Sequence, residues 1–166
     1  MPRLRWPPAM IPRDELGVVV HGPVVLARSP GIIAALRHVV AHPDALYLSM
    51  VVHADGVQAE AAARDRQRWR SADRPAAGTA GSDPWSGPLV TVAVDGEERT
   101  VDPGTSRSSG GPDSYDSDTL YRVGRLPPDG RLQLTVAWPQ AGLAEATTVL
   151  QLDDLRDLAA RVVRLG

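Results

Sequence analysis

The sequence predicts a mainly β (α+β) fold, an antiparallel β-sandwich with a C-terminal amphipathic helix docked on it. Three observations lead there. Leu132, Leu134, Val136 and Trp138 alternate with Gln133, Thr135 and Ala137, the two-residue period of a strand with one buried face. Asp95-Gly96, between Val90/Val92/Val94 and Val101, is a two-residue hairpin signal. From Asp153 the period changes to about 3.6 and places Leu152, Leu155, Leu158, Ala159, Val162 and Leu165 on one stripe.

The elements follow in chain order. Residues 1–15 are Pro-rich and read as an extended arm, and residues 16–166 read as a single domain. Residues 16–28 make a strand broken at Gly22-Pro23, since proline cannot donate to a ladder. Residues 30–42 (PGIIAALRHVVAH) fit a helix capped by Ser29 and ended by Pro43, and also fit a strand with Ile32, Leu36 and Val40 on one face. The strand is preferred because strands flank the segment and a hairpin through Pro43-Asp44 then follows. Residues 45–54 alternate, with Leu46, Leu48, Met50 and Val52 inward and Tyr47, Ser49, Val51 and His53 outward.

Residues 57–70 have helical composition but almost no apolar stripe, which predicts an exposed or fraying helix. The insertions 71–87 and 103–118 are rich in Gly, Ser, Pro and Asp and are expected to be mobile, lacking apolar surface to offset the entropy of ordering. Pro127-Pro128-Asp129-Gly130 is a turn signal, expected to reverse the chain between two strands. Asp153-Asp154 would cap the final helix and complement its dipole. About seven or eight strands with turn signals between them and no βαβ alternation favour the sandwich.

Composition narrows the function. A length of 166 residues, 43% of them hydrophobic, is enough for one core. The formal net charge of −2 lacks the clustered basic surface that a nucleic-acid backbone wants. With no cysteine, disulfides, thiolate catalysis and zinc–thiolate sites are excluded. No apolar run approaches the roughly 18 residues of a membrane span, and prolines at 2, 7, 8 and 12 interrupt any secretory h-region, so a cytoplasmic location is expected. Lys and Asn are absent and Arg supplies every basic side chain, the codon bias of a GC-rich genome.

The C-terminal pattern LPPDGRLQLTVAWPQAGLAEATTVLQLDDLRDLAARVVRL resembles a group of uncharacterised actinobacterial proteins. The matching positions are Pro127, Pro128, Gly130, Trp138, Pro139, Gly142, Leu143, Glu145, Ala159 and Leu165, and the Asp95-Gly96 hairpin and ARSPGIIAALRHVVAHPDAL are similar as well. The motifs are structural and cover about half of the chain. They imply a shared fold and carry no activity, cofactor or catalytic residue.

Candidate sites are few. His38, His42 and His53, with Asp44 and Asp55 near, supply the donors of a zinc-like ion with an open position, so a small metal-binding module or metal-dependent hydrolase is the alternative reading. Geometry opposes it. In a hairpin turning at 43–44, His53 pairs near Ala34, about 13 Å along the strand from His38. No serine sits in a Gly-x-Ser-x-Gly elbow, and SSGGP neither follows a strand nor opens a helix. Asp116 and Asp118 read as solvating carboxylates. Arg64, Arg66, Arg68 and Arg70 around Trp69 are diluted by Glu60 and Asp65 and read as a solvated helix face.

The expectation is therefore a non-enzymatic protein-interaction or structural accessory subunit of an assembly, with no cofactor. Its partner would be another protein, or a second copy, rather than nucleic acid or membrane. Trp6, Met10, Trp69, Trp85 and Tyr115 are the aromatic and apolar anchors expected outside the core and available for binding.

Overall fold

The computed structural model describes residues 4–7, 9, 10, 12–71 and 87–166. The chain is mainly β, in open antiparallel sheets. The larger sheet is built from β2 (Val18–His21), β3 (Val24–Ser29), β4 (Ile32–His42), β5 (Ala45–Asp55), β8 (Pro103–Gly111) and β9 (Ser114–Val123). Its order is β2-β4-β5-β9-β8, with β3 also on β4. The smaller sheet, of order β11-β10-β6-β7, holds β6 (Leu89–Val94), β7 (Glu97–Thr100), β10 (Arg131–Trp138) and β11 (Leu143–Gln151). Two short strands, β1 (Glu15–Leu16) and β12 (Val163–Arg164), pair with each other and join the two ends of the chain.

Local sequence explains most of these boundaries. Gly22-Pro23 separates β2 from β3, and both then pair with β4. Residues 30–42 resolve as a strand: Gly31 adopts φ 75° in the turn, and Ile32, Ala34, Leu36, Val39 and Ala41 are buried. Asp95 (φ 53°) and Gly96 (φ 76°) make the left-handed pair that a tight hairpin requires between β6 and β7.

The buried faces of both sheets belong to one apolar cluster, to which β5 contributes Leu46, Leu48, Met50 and Val52 and β10 contributes Leu132, Leu134, Val136 and Trp138. Trp138 is fully buried, its ring 5.8 Å from Tyr115 in an edge-on contact. At one margin, side chains bridge the sheets: Ala144 N–H donates to Ser29 Oγ at 3.0 Å, and Thr148 Oγ1 donates to the Leu26 carbonyl at 3.3 Å.

Four expectations are corrected. Residues 103–118 are no mobile insertion. They form β8, a Pro112-Asp113 turn and the start of β9, which pairs with β5 from Leu46↔Val123 to Asp55↔Ser114. Small polar residues are tolerated there because Tyr115, Thr119 and Tyr121 supply the buried face.

The C-terminal stripe does not form a long helix. Only α2 (Leu158–Arg161) is helical, and the left-handed Asp157 (φ 54°) precedes it without a side-chain cap. Leu152, Leu158 and Val162 are still buried and Leu155 packs half-buried, but Ala159 and Leu165 are exposed. Asp154 pairs with Arg156 rather than capping a helix, and that hydrogen bond holds its carboxyl down at about 2.

The segment after Asp55 is a helix, α1 (Gly56–Ser71), and it is docked rather than fraying. Ala59 and Ala62 are buried, and Asp65 Oδ2 accepts a 2.9 Å hydrogen bond from Trp138 Nε1. The turn at 127–130 reverses nothing within one sheet, since β9 before it and β10 after it lie in different sheets. Of the other insertion, 71–87, residues 72–86 lie outside the described residues.

Candidate functional site

Strand periodicity builds a charged face on the outside of the larger sheet. Val52, Ala54, Tyr115 and Ser117 point into the core, so their neighbours Val51, His53, Asp116 and Asp118 point outward. Register then lines up two rows across β5, β9 and β8: His53↔Asp116↔Ser109, and Val51↔Asp118↔Arg107. Arg37 enters from the β4 bulge between Leu36 and His38 and reaches over β5 to Asp118, with contacts of 3.2 and 3.4 Å. Together these residues line a groove of about 490 Å³.

His53 sits at one end of it between two carboxylates. Nδ1 is 2.7 Å from Asp116 Oδ1, and Nε2 is 3.3 Å from Asp55 Oδ2. The hydrogen bond to Asp116 raises the imidazole above its ordinary pKa, and the charges of Asp116 and Asp55 add to the effect. Although Ser109, Asp116 and His53 share a row, they form no nucleophile relay. Asp116 lies between the other two, and Nε2 faces Asp55 instead of a hydroxyl. The arrangement suits charge-paired recognition: Arg37 and His53 are matched by Asp118, Asp116 and Asp55, and Arg107 is exposed with no ion pair among the described residues.

The three histidines named from the sequence are kept apart. His53 lies opposite Ile33 and His42 opposite Ala45, so about 30 Å of β4 separates the two places at ~3.3 Å per residue. His38, half-buried, faces Ser49 between them. His42 is committed elsewhere: Nδ1 donates to Glu15 Oε1 at 2.8 Å, inside the protein. The Tyr47 ring meets the imidazole edge-on at 5.2 Å, and burial raises the Tyr47 phenol pKa. Among the described residues no group of three histidines and acids is placed to hold a metal ion.

Of the expected anchors, Met10 is 87% exposed. Trp6 is corrected from free to buried: its indole N–H donates to the Val92 carbonyl at 3.0 Å and the Arg99 guanidinium lies over its ring. Tyr115 is corrected in the same way, being buried against Trp138. The Trp69 side chain and Trp85 lie outside the described residues. Sequence reasoning missed Arg37 and Arg107 altogether. The available signal was the i, i+2 spacing of Asp116 and Asp118, which marks one face of a strand once 114–123 is read as one.

No family model, no curated protein and no solved structure matches the chain. No helix among the described residues is long and apolar enough to cross a membrane.

Proposed function

We propose that this chain is a non-enzymatic protein-contact module, a β-sandwich that serves as an accessory subunit and docks through the charged outer face of β4, β5, β9 and β8. The observation that carries this reading is the pair of cross-strand rows, in which opposite charges are held at fixed spacing on paired strands while Arg107 is left exposed. Such a surface contributes orientation and partner choice through charge complementarity. Met10, on the arm, adds an exposed apolar side chain.

Affinity capture from the native organism tests the reading. A protein retained by the wild-type chain should be lost with Arg37→Glu/Arg107→Glu and kept with His38→Ala. Retention by the double charge reversal would refute the face as the docking surface. One metal ion bound per chain, lost on His53→Ala, would replace this reading with the metal-binding one.

A further inference from the structure

Sheet ends are where strand proteins associate, and the four ends of the two larger sheets are treated differently. At β7, Thr100 N–H donates to the Leu4 carbonyl and the Thr100 carbonyl accepts Trp6 N–H in return, each near 3 Å, so the arm covers that edge. At β2, the Val20 carbonyl accepts Asp153 N–H at 2.8 Å. The β11 edge bonds to Ser29 and Leu26 of β3. Of these four edges, among the described residues, only β8 has no hydrogen bond on its outer side.

The free edge is nine residues long, and its residues from 104 onward are mostly exposed. The closing pair Gly111↔Ser114 sets the alternation of the ladder, so Ser106, Ser108 and Gly110 turn their backbone N–H and C=O groups away from β9. Their small side chains leave the approach open. Natural edges are ordinarily blunted by shortness, charge or cover, and this one carries a single charge, Arg107.

Two grooves flank the edge. On the outer face lies the ~490 Å³ groove of Arg107 and His53, and on the other a ~580 Å³ groove between α1 and the β8–β9 hairpin, lined by Ala63, Ser108, Gly110 and Tyr115. A strand added to β8 would drop alternate side chains into one groove and the other. In its own row Arg107 faces Asp118, but Asp118 is bonded to Arg37, which leaves the Arg107 guanidinium to a newcomer. A second copy pairing its β8 about Arg107 would set two guanidiniums opposite each other, which is unfavourable. An acidic strand meets a complementary charge instead.

We infer that the β8 edge receives an extended, acidic segment of the partner protein as an added strand. This rests on the contact reading above and names the kind of partner.

The test is amide hydrogen exchange of the full chain with two blocked peptides, (Thr-Glu)4 and (Thr-Arg)4. The acidic peptide should slow exchange at 106, 108 and 110 about tenfold, leaving β2 and β7 unchanged, and Arg107→Glu should transfer the preference to the basic peptide. Ser108→Pro, which removes only an outward N–H, should abolish both effects. Three results would overturn the inference: protection of these amides in the free chain, concentration-dependent dimerisation through β8, or no protection by (Thr-Glu)4. If the peptide fails while Arg37→Glu/Arg107→Glu still loses the captured protein, the charged face stands and the edge falls.

Discussion

Two histidine–carboxylate pairs of nearly equal length lie in opposite surroundings. His42 and Glu15 meet at 2.8 Å with side chains only 4% and 5% exposed, whereas His53 and Asp116 meet at 2.7 Å at 48% and 57%. The first ties β1, and through it β12, to the end of the β4–β5 hairpin. The second joins adjacent strands that the backbone ladder already holds. The same two functional groups therefore do different work. Removal of one partner inside the protein strands a desolvated polar group, while on the surface water replaces it. The buried pair belongs to the fold and the exposed one is available to recognition.

The largest expected effect breaks the buried side of this comparison. Glu15→Ala leaves His42 Nδ1 without its acceptor in a closed site and should cost about 3 kcal/mol, measured by urea denaturation. A loss below about 1 kcal/mol, the range of a surface pair, would mean that the two pairs are energetically alike.

A smaller loss is expected from the packing around the same imidazole. A Cβ on Gly17 would come within 2.5 Å of Val40 Cγ1 and 2.7 Å of His42 Nε2. Gly17→Ala should therefore destabilise by about 1–3 kcal/mol. The equivalent addition at Gly22, where a Cβ meets nothing within 4 Å, should be tolerated far better. Equal midpoints for the two variants would show that the Gly17 site yields without cost.

The two pairs also mark what was legible in the sequence. β4 also fits a helix and is preferred as a strand only because strands flank it, whereas β5 and β10 announce themselves because a buried strand face must repeat apolar residues every second position, as Leu46, Leu48, Met50 and Val52 do. That much placed His53 at the outward end of a strand. Its partner Asp116 could not be seen, because Ser114–Val123 satisfies its inner face with Tyr115, Ser117 and Thr119, a pattern that hydrophobic alternation does not detect. The Glu15–His42 pair spans 27 residues and is made by tertiary approach alone, with no local periodicity to report it. At the C-terminus the stripe identified Leu152, Leu158 and Val162 as buried, but not the exposure of Ala159 and Leu165 and not the backbone. Leu158 and Val162 face inward across a single helical turn, because Asp157 takes a left-handed conformation and Val163 pairs with Leu16. In α1 the error ran the other way, since Ala59 and Ala62 dock by smallness and leave no apolar stripe to find.

The smallest expected effect sharpens the exposed side. Because the hydrogen bond to Asp116 is the main cause of the raised His53 pKa, Asp116→Asn should bring that pKa down toward the ordinary value of about 6.5. Asp55 alone should leave a small residual rise. The sign of the stability effect follows from linkage. A histidine whose folded pKa exceeds its unfolded one stabilises fully below the unfolded value, near 6.5, and loses that contribution as pH rises through the folded value. Wild type should thus be more stable relative to Asp116→Asn at pH 5.5 than at pH 8.5, by less than about 1 kcal/mol given the exposure of both groups. NMR titration of the His53 ring and denaturation at the two pH values measure the two halves separately. A pKa unmoved by Asp116→Asn would assign the shift to Asp55, and the face would then lose the His53–Asp116 row on which its recognition role is argued.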